Sequence, residues 1–235
     1  MPKYNESIRK PFSDLKNLAI GTVLSAIPIA NWAATGYILE SSGVGKSKPS
    51  YSLNEWGDWG ELFIKGILST VISFIYVLPA ILVMLLGIGG AAISTISANP
   101  EIKASLLAGG PMALQKTGMA FMSAMTLANI GLMATAIVAG GLLMLIASYV
   151  TPMAVLTYIR TGSIGAAFRL GDVFGKAFSW TYLTVWLVSL FVSFLVMLVL
   201  GFIPFIGGPA ASFISGIFTY TLFGEVYRQL EGAKA

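Results

Sequence analysis

From Met119 to Ile159 the chain reads MAFMSAMTLANIGLMATAIVAGGLLMLIASYVTPMAVLTYI, forty-one residues without a charged side chain. As straight helix this run would be about 60 Å long at 1.5 Å per residue. That is roughly twice the hydrocarbon core of a bilayer. The rest of the chain is of the same kind. Of its 235 residues 56% are hydrophobic and 10% charged, and the mean hydropathy is +0.83. A soluble domain needs about a quarter of its residues charged to cover its surface. Fourteen Lys or Arg and ten Asp or Glu cannot do so here. The sequence is that of an integral membrane protein.

Composition also removes whole classes of chemistry. With no Cys and no His there is no disulfide framework, haem ligation, Cys/His zinc site or imidazole general base. No cofactor or metal is expected. The net charge of +4 comes from basic residues beside apolar segments, which suits anionic lipid rather than nucleic acid. The polar start, Met1 to Asp14, argues against a cleaved signal peptide.

Leu18 to Leu39 is apolar and 22 residues long, but Pro28 sits in its middle, followed by Asn31. Residues 41–54 read as a loop. Residues 55–65, with Glu55, Trp56, Asp58, Trp59 and Glu61, mix aromatic and acidic side chains, as at a headgroup boundary. Between Lys65 and Glu101 there is no charge, although Pro79 interrupts the run. Residues 163–178 are amphipathic. Two further apolar runs, Trp180 to Leu200 and Ala210 to Phe223, flank a turn centred on Pro204. The two ends look alike: Lys10-Pro11-Phe12-Ser13 and Ile27-Pro28-Ile29 are echoed by Lys176-Ala177-Phe178-Ser179 and Ile203-Pro204-Phe205. An internal duplication would make 18–39 a shortened helical hairpin.

Charge counting distinguishes the topologies. Take 18–39 as a re-entrant hairpin and 119–159 as one kinked crossing, with full crossings near 66–90, 130–158, 180–200 and 209–226. Lys3, Arg9, Lys10, Lys16, Lys46, Lys48, Lys65, Arg160, Arg169, Lys176, Arg228 and Lys234 then lie inside, and only Lys103 and Lys116 outside. Letting 18–39 cross once makes the split eight to six. Splitting 119–159 into two crossings makes it even. The positive-inside bias favours twelve to two. The expected fold is therefore an all-α polytopic bundle, one integral domain over 1–235. It has about four full crossings, a Pro-broken re-entrant hairpin and interfacial amphipathic segments at 55–65 and 163–178. Both termini are expected in the cytoplasm; five or six crossings is the alternative.

Candidate functional residues are few. Ser42-Gly43-Val44-Gly45-Lys46-Ser47 resembles the end of a phosphate loop, but Glu40 stands where its first glycine belongs. Glu55, Asp58 and Glu61 share one short segment, and with Asp172 could do acid–base work only by converging. Trp56 and Trp59 on one helix face would anchor at the interface, as would Phe168 in the later segment. The Met-rich stretch suits adaptable packing. Gly208, Ser212 and Gly216 recur every four residues and would let the final helix approach another helix or a second subunit closely. Pro28 and Pro204 free backbone carbonyls that need partners, and Asn31 is placed to supply one.

These residues also carry a family resemblance. Pro11-Phe12-Ser13-Asp14, Ile27-Pro28-Ile29-Ala30-Asn31 and Glu55-Trp56-Gly57-Asp58-Trp59-Gly60-Glu61-Leu62-Phe63 resemble domain of unknown function 4013. So do Tyr76-Val77-Leu78-Pro79, Gly162-Ser163-Ile164-Gly165 and Phe223-Gly224-Glu225-Val226-Tyr227-Arg228. The resemblance implies a multi-pass membrane protein of archaea or bacteria and carries no catalytic residues to transfer. Three functions compete. A non-enzymatic membrane protein with a scaffold, assembly or envelope role comes first, with membrane lipids and a homo-oligomeric or protein partner at the final helix. A small transporter or channel-like component for a hydrophobic or small polar substrate comes next. A lipid-modifying enzyme using interfacial carboxylates is the third.

Overall fold

The computed structural model describes residues 2–45 and 50–232, excepting the side chain of Ala113. Lys46, Ser47, Lys48 and Lys234, which entered the phosphate-loop comparison and the charge count, lie outside the described residues. The described chain is all-α and falls into two compact units, Met1–Phe74 with Tyr149–Ala235, and Ile75–Ser148.

The first unit begins with α1 (Tyr4–Arg9) and a 3-10 turn, Lys10–Phe12. It continues with α2 (Leu15–Ala26) and α3 (Asn31–Ser41), then the first part of α4 (Trp59–Ala98). From the second half of the chain come the end of α7 (Leu127–Thr161), a 3-10 stretch over Ile164–Phe168, and α8 (Leu170–Ala177). Helices α9 (Trp180–Leu200) and α10 (Gly207–Gly232) complete it. The helix starts follow local chemistry. Asp14 accepts from the Asn17 amide at 3.0 Å and Ser179 from the Tyr182 amide at 3.2 Å. Each side chain satisfies an amide that the first turn leaves unpaired.

The apolar stretch 18–39 is a hairpin. Helices of 12 and 11 residues are about 18 and 17 Å long, well short of a 30 Å core. Its flanks meet: Lys10 Nζ donates to the Ser41 carbonyl at 2.5 Å. A straight crossing would hold those residues a bilayer apart. The Pro28 and Pro204 turns each join two helices, but the second pair, of 21 and 26 residues, is far longer.

Among the described residues three helices, α4, α7 and α9, are long and apolar enough to cross a membrane. The fourth expected crossing, 209–226, falls within α10, which forms the core of the first unit. Its Phe213, Ile217, Leu222, Val226 and Tyr227 are buried, and it packs against α9, α2, α3 and α1. Helices α3 and α4 approach backbone to backbone at two reciprocal points. A side chain on Gly36 would fall on the Leu62 carbonyl, and one on Gly66 on the Trp32 carbonyl. Each glycine lets the other helix close in.

The second unit holds the remainder of α4, α5 (Pro100–Ala108), α6 (Pro111–Ala124) and the start of α7. The 41-residue uncharged run is thus not one helix: residues 119–124 end α6, and α7 starts at Leu127 and continues through Pro152 to Thr161. Proline opens both α5 and α6, where its missing N–H costs nothing. Gly109 and Gly110, at φ 63° and 88°, make the turn between them. Asn129 Nδ2 donates to Thr95 Oγ1 at 2.9 Å, and Gly87 lies against Ala136.

Segment 55–65 differs from expectation. The helix starts only at Trp59, and residues 53–58 are not helical. Asp58 has φ 43° and accepts from the Glu61 amide at 3.3 Å, which sets the helix start there.

Candidate functional site

Side chains of functional interest gather in three places, two of them built on residues singled out in the sequence. The first is aromatic. Freed from the helix, Trp56 stacks on Tyr37 at 4.0 Å between ring centroids and on Trp59 at 5.2 Å. Tyr37 in turn lies 5.8 Å from Phe213 of α10. The Trp56 indole N–H donates to the Asn17 carbonyl at 3.4 Å, and the Tyr37 hydroxyl to the Asn54 carbonyl at 2.6 Å. Trp56 therefore joins the core through α3, while Trp59 stays half exposed. The pair does not lie side by side on one helix face, because Trp56 is outside the helix.

The second place is the Pro turns and the small-residue face. Pro28 and Pro204 are exposed. The Ile27 carbonyl freed at the first turn is taken by the Asn31 main-chain N–H at 2.8 Å, so the asparagine serves through its backbone. The Gly208–Ser212–Gly216 face divides. Ser212 is exposed and Gly208 has open space beside it, whereas Gly216 sits against Ile38, 2.8 Å from where its Cβ would be. The close-contact partner of Gly216 within the chain is α3. Gly224, two turns on, lies against the Ser42 carbonyl.

The third place is polar and was largely unforeseen. Near the end of α10, buried Glu225 accepts from the Lys3 amide at 2.7 Å and from the Tyr51 hydroxyl at 2.8 Å, with the Ser7 hydroxyl at 3.5 Å. Burial, the Glu225 bond and the Glu225 charge all push the Tyr51 phenol above the usual tyrosine range. One turn on, Arg228 donates to the Ser42 carbonyl at 3.1 Å. Lys65 pairs with Glu40 at 2.6 Å and also with Glu61. On another side of α10 an open cleft of about 400 Å³ is lined by Arg160, Arg169, Asp172, Lys176, Tyr227 and Glu231, among others. Buried Lys176 donates to the Tyr227 hydroxyl at 2.9 Å and lies 3.8 Å from Glu231, which also pairs with Arg160 at 3.2 Å. Phe168 is half buried on the 3-10 stretch that leads to α8.

The carboxylates considered for catalysis have separate engagements. Asp58 caps α4, Glu61 pairs with Lys65, Asp172 pairs with Arg169 at 3.6 Å, and Glu55 is exposed. Among the described residues no group of three or more acidic, His or Cys side chains could hold a metal ion.

A family model described as "Protein of unknown function (DUF4013)" matches residues 20–205. The chain belongs to this family. Its members are uncharacterised multi-pass membrane proteins, in agreement with the three long apolar helices. The match runs from α2 to the turn before α10 and so covers most of the chain. No curated protein and no solved structure matches it.

Proposed function

We propose that the protein is a non-enzymatic, multi-pass component of the cell membrane with a scaffold or assembly role. The observation behind this reading is how its charged groups are used. Glu225, Lys10, Lys65, Arg228 and Lys176 tie helices together, and Asp58, Glu61 and Asp172 have separate local partners. A hydrolytic or transfer site built on Glu55, Asp58, Glu61 and Asp172 would need those carboxylates converging on one substrate position.

The same bonds support the twelve-to-two topology. Lys3, Lys10, Lys65, Arg160, Lys176 and Arg228 all connect to α10's last turns, to Glu40 or to the Ser41–Ser42 carbonyls. One end of the unit thus collects basic residues from both halves of the chain, as a cytoplasmic face would. In this reading α4, α7, α9 and part of α10 cross, and the α2–α3 hairpin re-enters.

A deletion strain complemented with Glu55→Gln/Asp58→Asn/Asp172→Asn tests the role. The triple variant should restore the wild-type phenotype at equal protein level. In native extraction it should also run in an assembly larger than the 24.9 kDa monomer. Loss of complementation with the variant present in normal amount would favour catalysis, and a strictly monomeric wild-type protein would contradict a scaffold.

A further inference from the structure

The cleft beside α10 has a composition that a structural cross-link does not require. Three cations, Arg160, Arg169 and Lys176, meet there with two anions, Asp172 and Glu231. Arg160 and Arg169 each engage a carboxylate through Nε, at 3.2 and 3.6 Å. A guanidinium has five N–H donors in a planar fork, so the remaining donors of both arginines can serve a third party. Lys176 is held between the Tyr227 hydroxyl and Glu231, with its ammonium 4.2 Å from the Tyr227 ring centre. This fixes one positive charge at the base of the cleft, and the two arginines on its rim remain about half exposed.

The surroundings specify the ligand further. The segment that supplies Arg169 and Lys176 also presents Leu170, Phe178 and Trp180 to the outside, the last 81% exposed. Val173 and Ala177 of α8 are fully buried. Exposed aromatic and apolar side chains beside cations are the pattern of a helix lying at the headgroup level. Trp180 also opens α9, one of the three membrane-length helices.

We propose that this cleft binds the phosphate of an anionic phospholipid headgroup. The rim arginines take its oxygens in the bidentate geometry a guanidinium favours, Lys176 supplies charge from below, and Leu170 and Trp180 lie along the acyl chains. Asp172 and Glu231 hold the arginines in place and keep the empty cleft from being a bare cluster of like charge. The inference is independent of the scaffold role.

The test uses the purified full-length chain in mild detergent, with phosphatidylglycerol or phosphatidylcholine added and bound lipid counted by native mass spectrometry. A basic residue near an anionic surface strengthens binding about fivefold. Allowing for exposure, Arg160→Gln/Arg169→Gln should lower phosphatidylglycerol affinity about tenfold, to the phosphatidylcholine level. Arg169→Gln alone, whose ion pair is exposed on both sides, should lower it about threefold with unchanged melting. Arg9→Gln/Lys16→Gln, which removes equal charge from exposed positions elsewhere, should leave it unchanged. Undiminished binding by the double cleft variant overturns the proposal, as does an equal loss in the Arg9/Lys16 variant. Displacement of bound phosphatidylglycerol by inorganic phosphate overturns the lipid assignment in favour of a soluble phosphate compound.

Discussion

Gly36→Ala adds one methyl group where α3 meets α4. Its Cβ would fall on the Leu62 carbonyl, and the equivalent Cβ at Gly66 on the Trp32 carbonyl. Neither obstacle can rotate aside, because both are main chain within helices. The helices must separate instead. Overpacking costs about 1–3 kcal/mol, and a backbone obstacle belongs at the upper end. Against this, alanine is worth about 1 kcal/mol over glycine inside a helix. The net loss is about 2 kcal/mol for either substitution, which lowers the melting temperature of a chain this size by about 4–8 °C. Gly89, inside α4 with open space beside it, should show only the propensity gain and melt slightly higher as alanine. Because Gly36→Ala and Gly66→Ala open the same seam, the double variant should lose less than their sum. Thermal unfolding followed by size exclusion in mild detergent measures all four. Wild-type stability for Gly36→Ala, or full additivity of the pair, would refute the close-contact reasoning.

Other expectations follow from the polar end and the aromatic stack. Glu225→Leu leaves the Lys3 amide and the Tyr51 hydroxyl without their acceptor and should cost about 3 kcal/mol in denaturant unfolding; a loss under 1 kcal/mol would mean these bonds are solvated. Tyr51 titrates above the usual tyrosine range when folded, so as pH rises the unfolded chain loses this proton first. Its contribution is intact below about pH 10 and fades as pH climbs toward the folded value. Tyr51→Phe should be about 1 kcal/mol less stable at neutral pH yet show a shallower alkaline decline, and parallel declines would contradict the assignment. In variants retaining one tryptophan each, lipids brominated near the glycerol level should quench Trp180 strongly and Trp56, stacked on Tyr37, weakly. Equal quenching would return Trp56 to the lipid face.

Sequence reading did best where one short-range signal acted alone. The run Trp180 to Leu200 is α9 with the same bounds, since Ser179 caps one end and the Pro204 turn follows the other. Pro28 likewise marked the break between α2 and α3. It did worse where two local preferences competed. Residues 55–58 could extend α4 by their pattern, but Gly57 and the Asp58 cap start the helix later, and Tyr37 supplies a ring for Trp56. The stripe on α10 identified Gly216 without saying that Gly208 faces open space. Nothing local pairs Gly36 with Leu62 or Gly66 with Trp32, because that contact depends on the register of two helices. Lys3 and Glu225, 222 residues apart, and the cleft formed by α7, α8 and α10 depend on tertiary packing alone.

The central claim is that both flanks of the first apolar stretch and the basic end of α10 share the cytoplasmic side. The chain contains no cysteine, so single substitutions can be labelled with a membrane-impermeant thiol reagent in intact cells. Ser52, Ser163 and Gln115 are all exposed. Gln115→Cys should be labelled from outside, while Ser52→Cys and Ser163→Cys should react only after the cells are opened. Labelling of Ser52→Cys in intact cells, with Ser163→Cys protected, would make 18–39 a crossing and contradict the account.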